Sequence, residues 1–271
     1  MFEINPRSFF ATAANRQIVA TSQKGGTSCG SIVKVVSDCE LVLTSLPNPE
    51  IVRKVMLSSD GILNNCQAGV CVLDLSSVDP ETSRDIYSVA RELDVDYADV
   101  PVSGGVKGAA EGTLTLMFGG ERRVYSKVLP MLRCIGKKII YTGAVGNGDA
   151  AKVVNNLLLG CNMAAISEAL NLGRQLGLSL ETMERIIFQS SGNSYAFSTK
   201  VKNFVMKDDY EGGFALNLAY KDMNLAVDAS KSLSVPMPMT AAALQLYVMA
   251  RGMDLGNKDI SSVVRVWENR K

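Results

Sequence analysis

The sequence predicts an α/β protein with a doubly wound, mostly parallel sheet in its first half and only helices in its second half. Between Glu40 and Tyr141, short β-branched runs alternate with helical patterns, an order typical of parallel strands joined by crossover helices. Beyond that region no strand pattern recurs, and residues 149–177 form one proline-free helical pattern that ends at a glycine. We therefore predict two domains, a sheet domain over 1–148 and an all-α domain over 149–271.

The elements follow from apolar residues recurring with a period of two or close to four. Strand patterns occur at 41–47, 69–77, 96–102 and 113–120. Helical patterns separate the earlier strands at 49–56 and 80–94. The pattern at 149–177 is apolar around most of its circumference, which predicts a helix in the core of the second domain. Shorter helical patterns follow at 180–190, 195–206, 217–233 and 239–251.

Charge and composition exclude several classes of function. The 271 residues carry 28 Lys and Arg against 27 Asp and Glu, for a net charge of +1. This balance provides no basic surface for nucleic acid or an anionic membrane. The chain has no histidine, which excludes Ser-His-Asp and Cys-His catalysis, HExxH zinc sites and imidazole bases. Proton transfer must then use Lys, Tyr, Cys or a carboxylate, and we expect no metal.

The cysteines indicate a reducing compartment. Their positions are Cys29, Cys39, Cys66, Cys71, Cys134 and Cys161. No CxxC pair occurs among them, so we expect reduced structural thiols. The sequence has no run of 18 apolar residues and no recognisable leader, so we expect no membrane span. The cytoplasm and the mitochondrial matrix are both compatible with these features.

The glycine motif of dinucleotide-binding sheets does not occur in this sequence. That motif, GxGxxG, lies between a first strand and a first helix, where backbone N–H groups reach the pyrophosphate. The segment KGGTSCG at 24–30 has its glycines at a different spacing. We interpret it as a surface loop, with a phosphate-binding loop as the alternative.

A first candidate site is Ser103-Gly104-Gly105, which follows the strand predicted at 96–102. Ligands of α/β sheets bind at the carboxyl ends of strands. A hydroxyl followed by two glycines can offer converging donors to a carboxylate, because glycine lets the backbone approach closely. The alternative is a simple turn at the end of a strand.

A second candidate pair is Lys152 and Asn156, which are four residues apart and share one face of the long helix. Partial desolvation of a lysine favours its neutral form, which can accept a proton, and an asparagine one turn away can bind a hydroxyl. Alternatively, Lys152 extends into solvent along its aliphatic stem. Lys221 and Asp222 lie in a similar apolar helix, where an exposed ion pair is the simpler interpretation.

In this order, the motifs resemble those of the β-hydroxyacid dehydrogenase family from about Gly30 to the C-terminus. Six collinear segments carry the resemblance. They are LTSLP (43–47), DLSSVDPETS (74–83), DVPVSGGVKGAAEGTLTLMFGG (99–120), GAVGNGDAAKVVNNLLL (143–159), SEALNLGRQLGL (167–178) and YEGGFALNLAYKDMNLA (210–226).

The resemblance implies a Rossmann-type domain, an all-α domain and hydride transfer between a 3-hydroxy acid and NAD. The expected substrate is 3-hydroxyisobutyrate, oxidised to methylmalonate semialdehyde in valine degradation. Lys152 would be the general acid/base and Asn156 its partner. The substrate carboxylate would bind Ser103, Gly104 and Gly105. The dinucleotide would contact Leu46, Pro47, Ser77 and Lys221. The resemblance also implies a homodimer or homotetramer.

The sequence departs from the family pattern at its beginning. The first strand and the GxGxxG helix are expected to be absent, and residues 8–29 match poorly. Glu3 would then lie at the end of the family's second strand, where an acid binds the ribose and favours NAD over NADP. Alternatives are an NADPH-dependent glyoxylate or succinic semialdehyde reductase, or a catalytically inactive relative. A decarboxylating phosphogluconate dehydrogenase is disfavoured, because Leu159 replaces its glutamate acid.

Overall fold

The computed structural model describes residues 29–37 and 39–267. The chain divides into two compact units. The first extends to Gly104 and resumes over Gly108–Lys152, and the second comprises Gly105–Lys107 and the chain from Val153 onward. Glu3 and most of the glycine-rich segment lie outside the described residues. The domain boundary predicted after residue 148 stays a prediction.

The chain up to residue 143 contains strands and helices at nearly all the predicted places. The strands are β1 (Leu41–Thr44), β2 (Cys71–Asp74), β3 (Asp96–Asp99), β4 (Val102–Ser103), β5 (Leu114–Gly119) and β6 (Gly136–Gly143). The helices are α1 (Ile32–Val36), α2 (Pro49–Leu57), α3 (Ile62–Asn65), α4 (Pro80–Glu92), α5 (Gly105–Ala110) and α6 (Arg122–Ile135).

Side-chain caps and prolines explain where the crossover helices begin. Asn48 accepts a hydrogen bond from the Ile51 amide, and Pro49 follows as the first residue of α2. Asp79 accepts a hydrogen bond from the Thr82 amide in the same way at the start of α4. A proline costs no hydrogen bond in the first helical turn, and the capping oxygen satisfies an amide that has no partner within the helix.

The sheet has the order β1-β2-β3-β5-β4, and β6 pairs with β5. β1, β2 and β3 are parallel, and so are β5 and β6, which confirms a mostly parallel doubly wound sheet. β5, however, runs antiparallel to β3 and β4. The short helix α5 lies between β4 and β5 and spans only about 9 Å, too little for a crossover along the strands. The chain therefore turns back on itself at that point.

The sheet is covered on both faces. Along β2, Val72 packs in one hydrophobic cluster while Cys71 and Leu73 pack in another, as alternating side chains must. The first cluster includes Ile86 of α4, and the second includes Leu132 of α6. Burial on both faces explains the continuous apolar run of this strand.

The second half of the chain is helical, as predicted. Its helices are α7 (Asn147–Gln175), α8 (Leu180–Phe188), α9 (Leu216–Ser232) and α10 (Pro238–Gly252), with a π-helical turn at Phe197–Val201 and 3-10 helices at Val205–Lys207 and Ile260–Trp267. Among the described helices, α7 alone is long and apolar enough to cross a membrane, a criterion that core helices also meet. Its residues Met163 and Leu170 belong to the core of the second unit.

Candidate functional site

Lys152 lies in the second turn of α7 and is buried in the first unit, with 8% of its surface exposed. Its Nζ donates a hydrogen bond to the backbone carbonyl of Val102 at 2.7 Å. Val102 directly precedes the candidate carboxylate-binding turn. The alternative in which Lys152 extends into solvent is therefore wrong, because the amine is directed to the end of β4.

The Ser103–Gly105 turn has a backbone that only glycine adopts easily. Gly104 has a φ of 134° and Gly105 a φ of 63°, so side chains at both positions would be strained. Ser103 is half-buried, whereas the two glycines are exposed. The structure thus brings Lys152 and Ser103 to the same strand end, with an accessible turn beside them.

Asn156 lies in the second unit, and its side chain is fixed by neighbours on both sides. Its Nδ2 donates to Asp222 Oδ2 at 2.5 Å, while its Oδ1 accepts from Asn155 Nδ2 at 2.9 Å. Lys221 Nζ lies 3.2 Å from the other oxygen of Asp222. These contacts assemble Asn156, Lys221 and Asp222 into one polar cluster.

Asp222 is a residue whose role the sequence interpretation missed. An exposed Lys–Asp pair was the simpler interpretation, but Asp222 has only 4% of its surface exposed. A signal was available in the sequence, since the apolar Ala219, Met223 and Ala226 recur at helical spacing beside Asp222, and the structure buries all three. A carboxylate on the buried side of an amphipathic helix requires a polar partner, and that partner is Asn156.

The predicted cofactor residues of the first unit lie in two adjoining loops. The Leu46 amide donates to Ser76 Oγ at 2.8 Å, which links the loop after β1 to the loop after β2. Pro47 and Ser77 lie in these loops, exposed and half-buried respectively. Lys221 belongs to the second unit.

Asp74 organises these two loops. One oxygen, Oδ1, accepts hydrogen bonds from Thr44 Oγ1 at 2.7 Å and Ser76 Oγ at 2.5 Å. Burial raises the pKa of Asp74, and these two hydrogen bonds oppose the rise. Oδ2 has no hydrogen-bond partner within residues 29–37 and 39–267.

The loops fit a dinucleotide by position and by chemistry. They follow parallel strands at their carboxyl ends, where α/β sheets bind dinucleotides. They offer an exposed apolar residue, Pro47, and a half-buried hydroxyl on Ser77. Glu3, predicted to bind the ribose, lies outside the described residues.

Two family models match this chain. One is described as the NAD binding domain of 6-phosphogluconate dehydrogenase and matches residues 9–143. The other is described as NAD-binding of NADP-dependent 3-hydroxyisobutyrate dehydrogenase and matches residues 146–267. The first match begins at residue 9, upstream of Gly30, and Gly30 is the residue at which the resemblance in the sequence motifs starts.

Individual proteins are similar over most of the chain. A 2-(hydroxymethyl)glutarate dehydrogenase of Eubacterium barkeri is 48% identical, and the alignment covers 93% of this chain and 83% of that protein. A probable mitochondrial 3-hydroxyisobutyrate dehydrogenase of Dictyostelium discoideum is 36% identical, and the alignment covers 89% of this chain and 77% of that protein. The solved structure of a Mycobacterium tuberculosis 3-hydroxyisobutyrate dehydrogenase with L-serine is 31% identical. The superposition has a TM-score of 0.87 and covers 94% of this chain and 88% of that structure's chain.

Proposed function

This chain belongs to the β-hydroxyacid dehydrogenase family of NAD(P)-dependent enzymes, and we propose that it oxidises the hydroxymethyl group of a 2-substituted 3-hydroxypropanoate. One observation carries the proposal. The buried Lys152 amine is directed to the Val102 carbonyl, immediately before the Ser103-Gly104 turn. A proton acceptor thus lies beside a turn suited to a carboxylate.

The substrate class follows from what three compounds share. The names of the similar proteins mention 3-hydroxyisobutyrate, 2-(hydroxymethyl)glutarate and L-serine. Each compound has a carboxylate whose α-carbon carries a hydroxymethyl group. They differ only in the third substituent, which is a methyl, a carboxyethyl or an ammonium group.

We propose 3-hydroxyisobutyrate as the substrate and methylmalonate semialdehyde as the product. 2-(Hydroxymethyl)glutarate is the second candidate, since the dehydrogenase named for it is 48% identical to this chain. Comparing kcat/KM for these acids and L-serine, followed by NADH absorbance, tests the proposal. Turnover of none of them would contradict it and favour a catalytically inactive relative. A preference for glyoxylate or succinic semialdehyde with NADPH would favour a reductase.

In the proposed mechanism, Lys152 accepts the hydroxyl proton of the substrate during oxidation and returns it during reduction. Asn156, four residues further along α7, binds the same oxygen through its amide group. Asp222 holds that amide in one orientation by its hydrogen bond at 2.5 Å. The bound nicotinamide supplies the acceptor for the hydride that leaves the carbinol carbon.

The loops after β1 and β2 are proposed to hold the dinucleotide through Leu46, Pro47 and Ser77, and Lys221 would approach its nicotinamide end. We further propose a homodimer or homotetramer, which light scattering would distinguish. The similar proteins include a mitochondrial and a bacterial one, which fits both compartments expected from the sequence.

Replacing Ser103 by alanine should raise KM for the hydroxy acid about tenfold, because a hydrogen bond to a charged group contributes about 1.5–3 kcal/mol. KM for NAD should change less than about twofold. Steady-state kinetics measure both constants. Ser126→Ala is the matched control, since that hydroxyl only donates to the Arg122 carbonyl on the surface of α6. If Ser103→Ala instead weakens NAD binding, the turn contacts the dinucleotide and our placement of the carboxylate is wrong.

The cofactor preference should follow the charge of Glu3. A carboxylate at the ribose favours the 2′-hydroxyl of NAD and repels the 2′-phosphate of NADP. We expect kcat/KM to favour NAD by at least about tenfold, or about 1.4 kcal/mol, and Glu3→Ala to reduce that ratio. Glu181→Ala, on the surface of α8, should leave the ratio unchanged. Equal use of both dinucleotides by the unmodified protein would show that Glu3 does not bind the ribose.

A further inference from the structure

The buried carboxylate of Asp99 connects the end of β3 to the first turn of α7. It has 1% of its surface exposed. Oδ1 accepts a hydrogen bond from the Gly146 amide at 2.7 Å, and Oδ2 accepts one from the Asp149 amide at 2.9 Å. Amides at the start of a helix have no partner within the helix, and a carboxylate there satisfies them and interacts well with the helix dipole. Asp99 therefore caps α7 from a different element, about 50 residues earlier in the chain.

The backbone around Asp99 is packed so closely that only glycine fits beside it. A Cβ atom at Gly119 of β5 would lie 2.6 Å from Asp99 Oδ1. A Cβ atom at Gly148 of α7 would lie 2.8 Å from Oδ2. Any side chain at these positions would displace the carboxylate. The strand and the helix start are thus built around this one group.

A second carboxylate, Asp149, accompanies Asp99 and also has 1% of its surface exposed. Its Oδ2 lies 2.6 Å from the Ser83 hydroxyl, which in turn lies 3.2 Å from the Tyr97 hydroxyl.

Burial raises the pKa of Asp99 to about 6, while backbone amides oppose the rise. Burial and the charge of Asp99 raise the pKa of Asp149 well above its ordinary range. Asp74 and Asp79 also raise the pKa of Asp149, and the pKa of Tyr97 is raised by burial and by the charges of Asp74, Asp149 and Asp99.

We propose that Asp99 is a positioning residue for Lys152. Val102, whose carbonyl accepts the Lys152 hydrogen bond, lies three residues after Asp99 in the chain. Lys152 lies three residues, almost one helical turn, after Asp149, whose amide donates to Asp99. The same carboxylate thus holds both the strand end that supplies the acceptor and the helix start that supplies the amine. This inference rests on the proposed function, in which Lys152 is the general base.

Asp99→Asn tests the inference, because it keeps the shape of the side chain and removes its charge. A mispositioned catalytic group costs up to about 100-fold in rate, and we expect kcat to fall at least about tenfold. The acidic limb of the pH profile for alcohol oxidation should also move to lower pH, by about half a unit or more. The direction follows because the Val102 carbonyl accepts a hydrogen bond from the amine and so favours its protonated form, and the variant loosens the strand end that supplies this carbonyl.

Asp96→Asn is the matched control. It makes the same substitution at the other end of β3, where the carboxylate faces Arg123 and Lys127. This variant should keep the kcat and the pH profile of the unmodified protein. Asp99→Ser, which removes the charge without introducing an amide donor, is a second variant should Asp99→Asn fail to fold.

An unchanged acidic limb in a folded Asp99 variant would overturn the inference, whatever its kcat, since loss of folded enzyme alone does not move a pH profile. Failure of both variants to fold would also overturn it, because Asp99 would then be required for the fold rather than for Lys152. Lys152→Ala, assayed in parallel, separates this inference from the proposed function. Normal turnover by Lys152→Ala would contradict the assignment of Lys152 as the general base. Loss of turnover by Lys152→Ala, together with a normal kcat and pH profile of Asp99→Asn, would contradict only the positioning role of Asp99.

Discussion

Replacing Lys152 by alanine should lower kcat by about 100-fold or more, the usual contribution of a general acid/base. The expectation follows from two observations. The chain has no histidine to take over proton transfer, and the Lys152 amine is buried with its hydrogen bond directed to the Val102 carbonyl. Steady-state kinetics with 3-hydroxyisobutyrate and NAD measure the effect. Circular dichroism establishes that the variant is folded.

Lys231→Ala is the matched control, because that lysine forms an exposed ion pair with Asp228 in the helical unit. It should leave kcat unchanged. A Lys152→Ala variant with near-normal kcat across about pH 6–10 would contradict the assignment. Proton transfer would then have to be assigned to another group, such as a tyrosine or a carboxylate.

Replacing Asp259 by alanine should lower the free energy of unfolding of the helical unit by about 3–5 kcal/mol, the usual cost of breaking a buried ion pair from one side. Asp259 is fully buried and lies 2.5 Å from Lys200 Nζ. It also accepts hydrogen bonds from the Phe214 amide at 2.8 Å and from Ser261 Oγ at 2.7 Å. The substitution leaves all these donors without their acceptor and a nearly buried ammonium without its partner.

Urea denaturation followed by circular dichroism measures this loss. Asp228→Ala removes the exposed partner of Lys231 and should change the unfolding free energy by less than about 1 kcal/mol. A double variant, Lys200→Met with Asp259→Ala, should recover part of the stability because no charge is left buried alone. Equal losses for Asp259→Ala and Asp228→Ala would show that the buried pair does not stabilise the unit.

The sequence alone determined the local elements, because their signals lie within a few residues. The long helix predicted at 149–177 is observed at Asn147–Gln175, and the helix predicted at 80–94 is observed at Pro80–Glu92. Apolar periodicity, capping side chains and proline positions specify such elements without any distant contact. Residue type and spacing also made the Ser103 and Lys152 motifs candidates, whereas the roles predicted for them came from the resemblance to the family.

Only the tertiary structure decided which distant residues meet. The reversal of β5 against β3, the contact of Lys152 with Val102 and the pairing of Asn156 with Asp222 each join residues that are well separated in the chain. Periodicity reports which face of an element is buried, but not what lies opposite that face. A buried amine or carboxylate is tolerated only where another segment supplies its hydrogen-bond partners. The positions of the polar groups in this site therefore follow from the packing of whole elements, which no local pattern specifies.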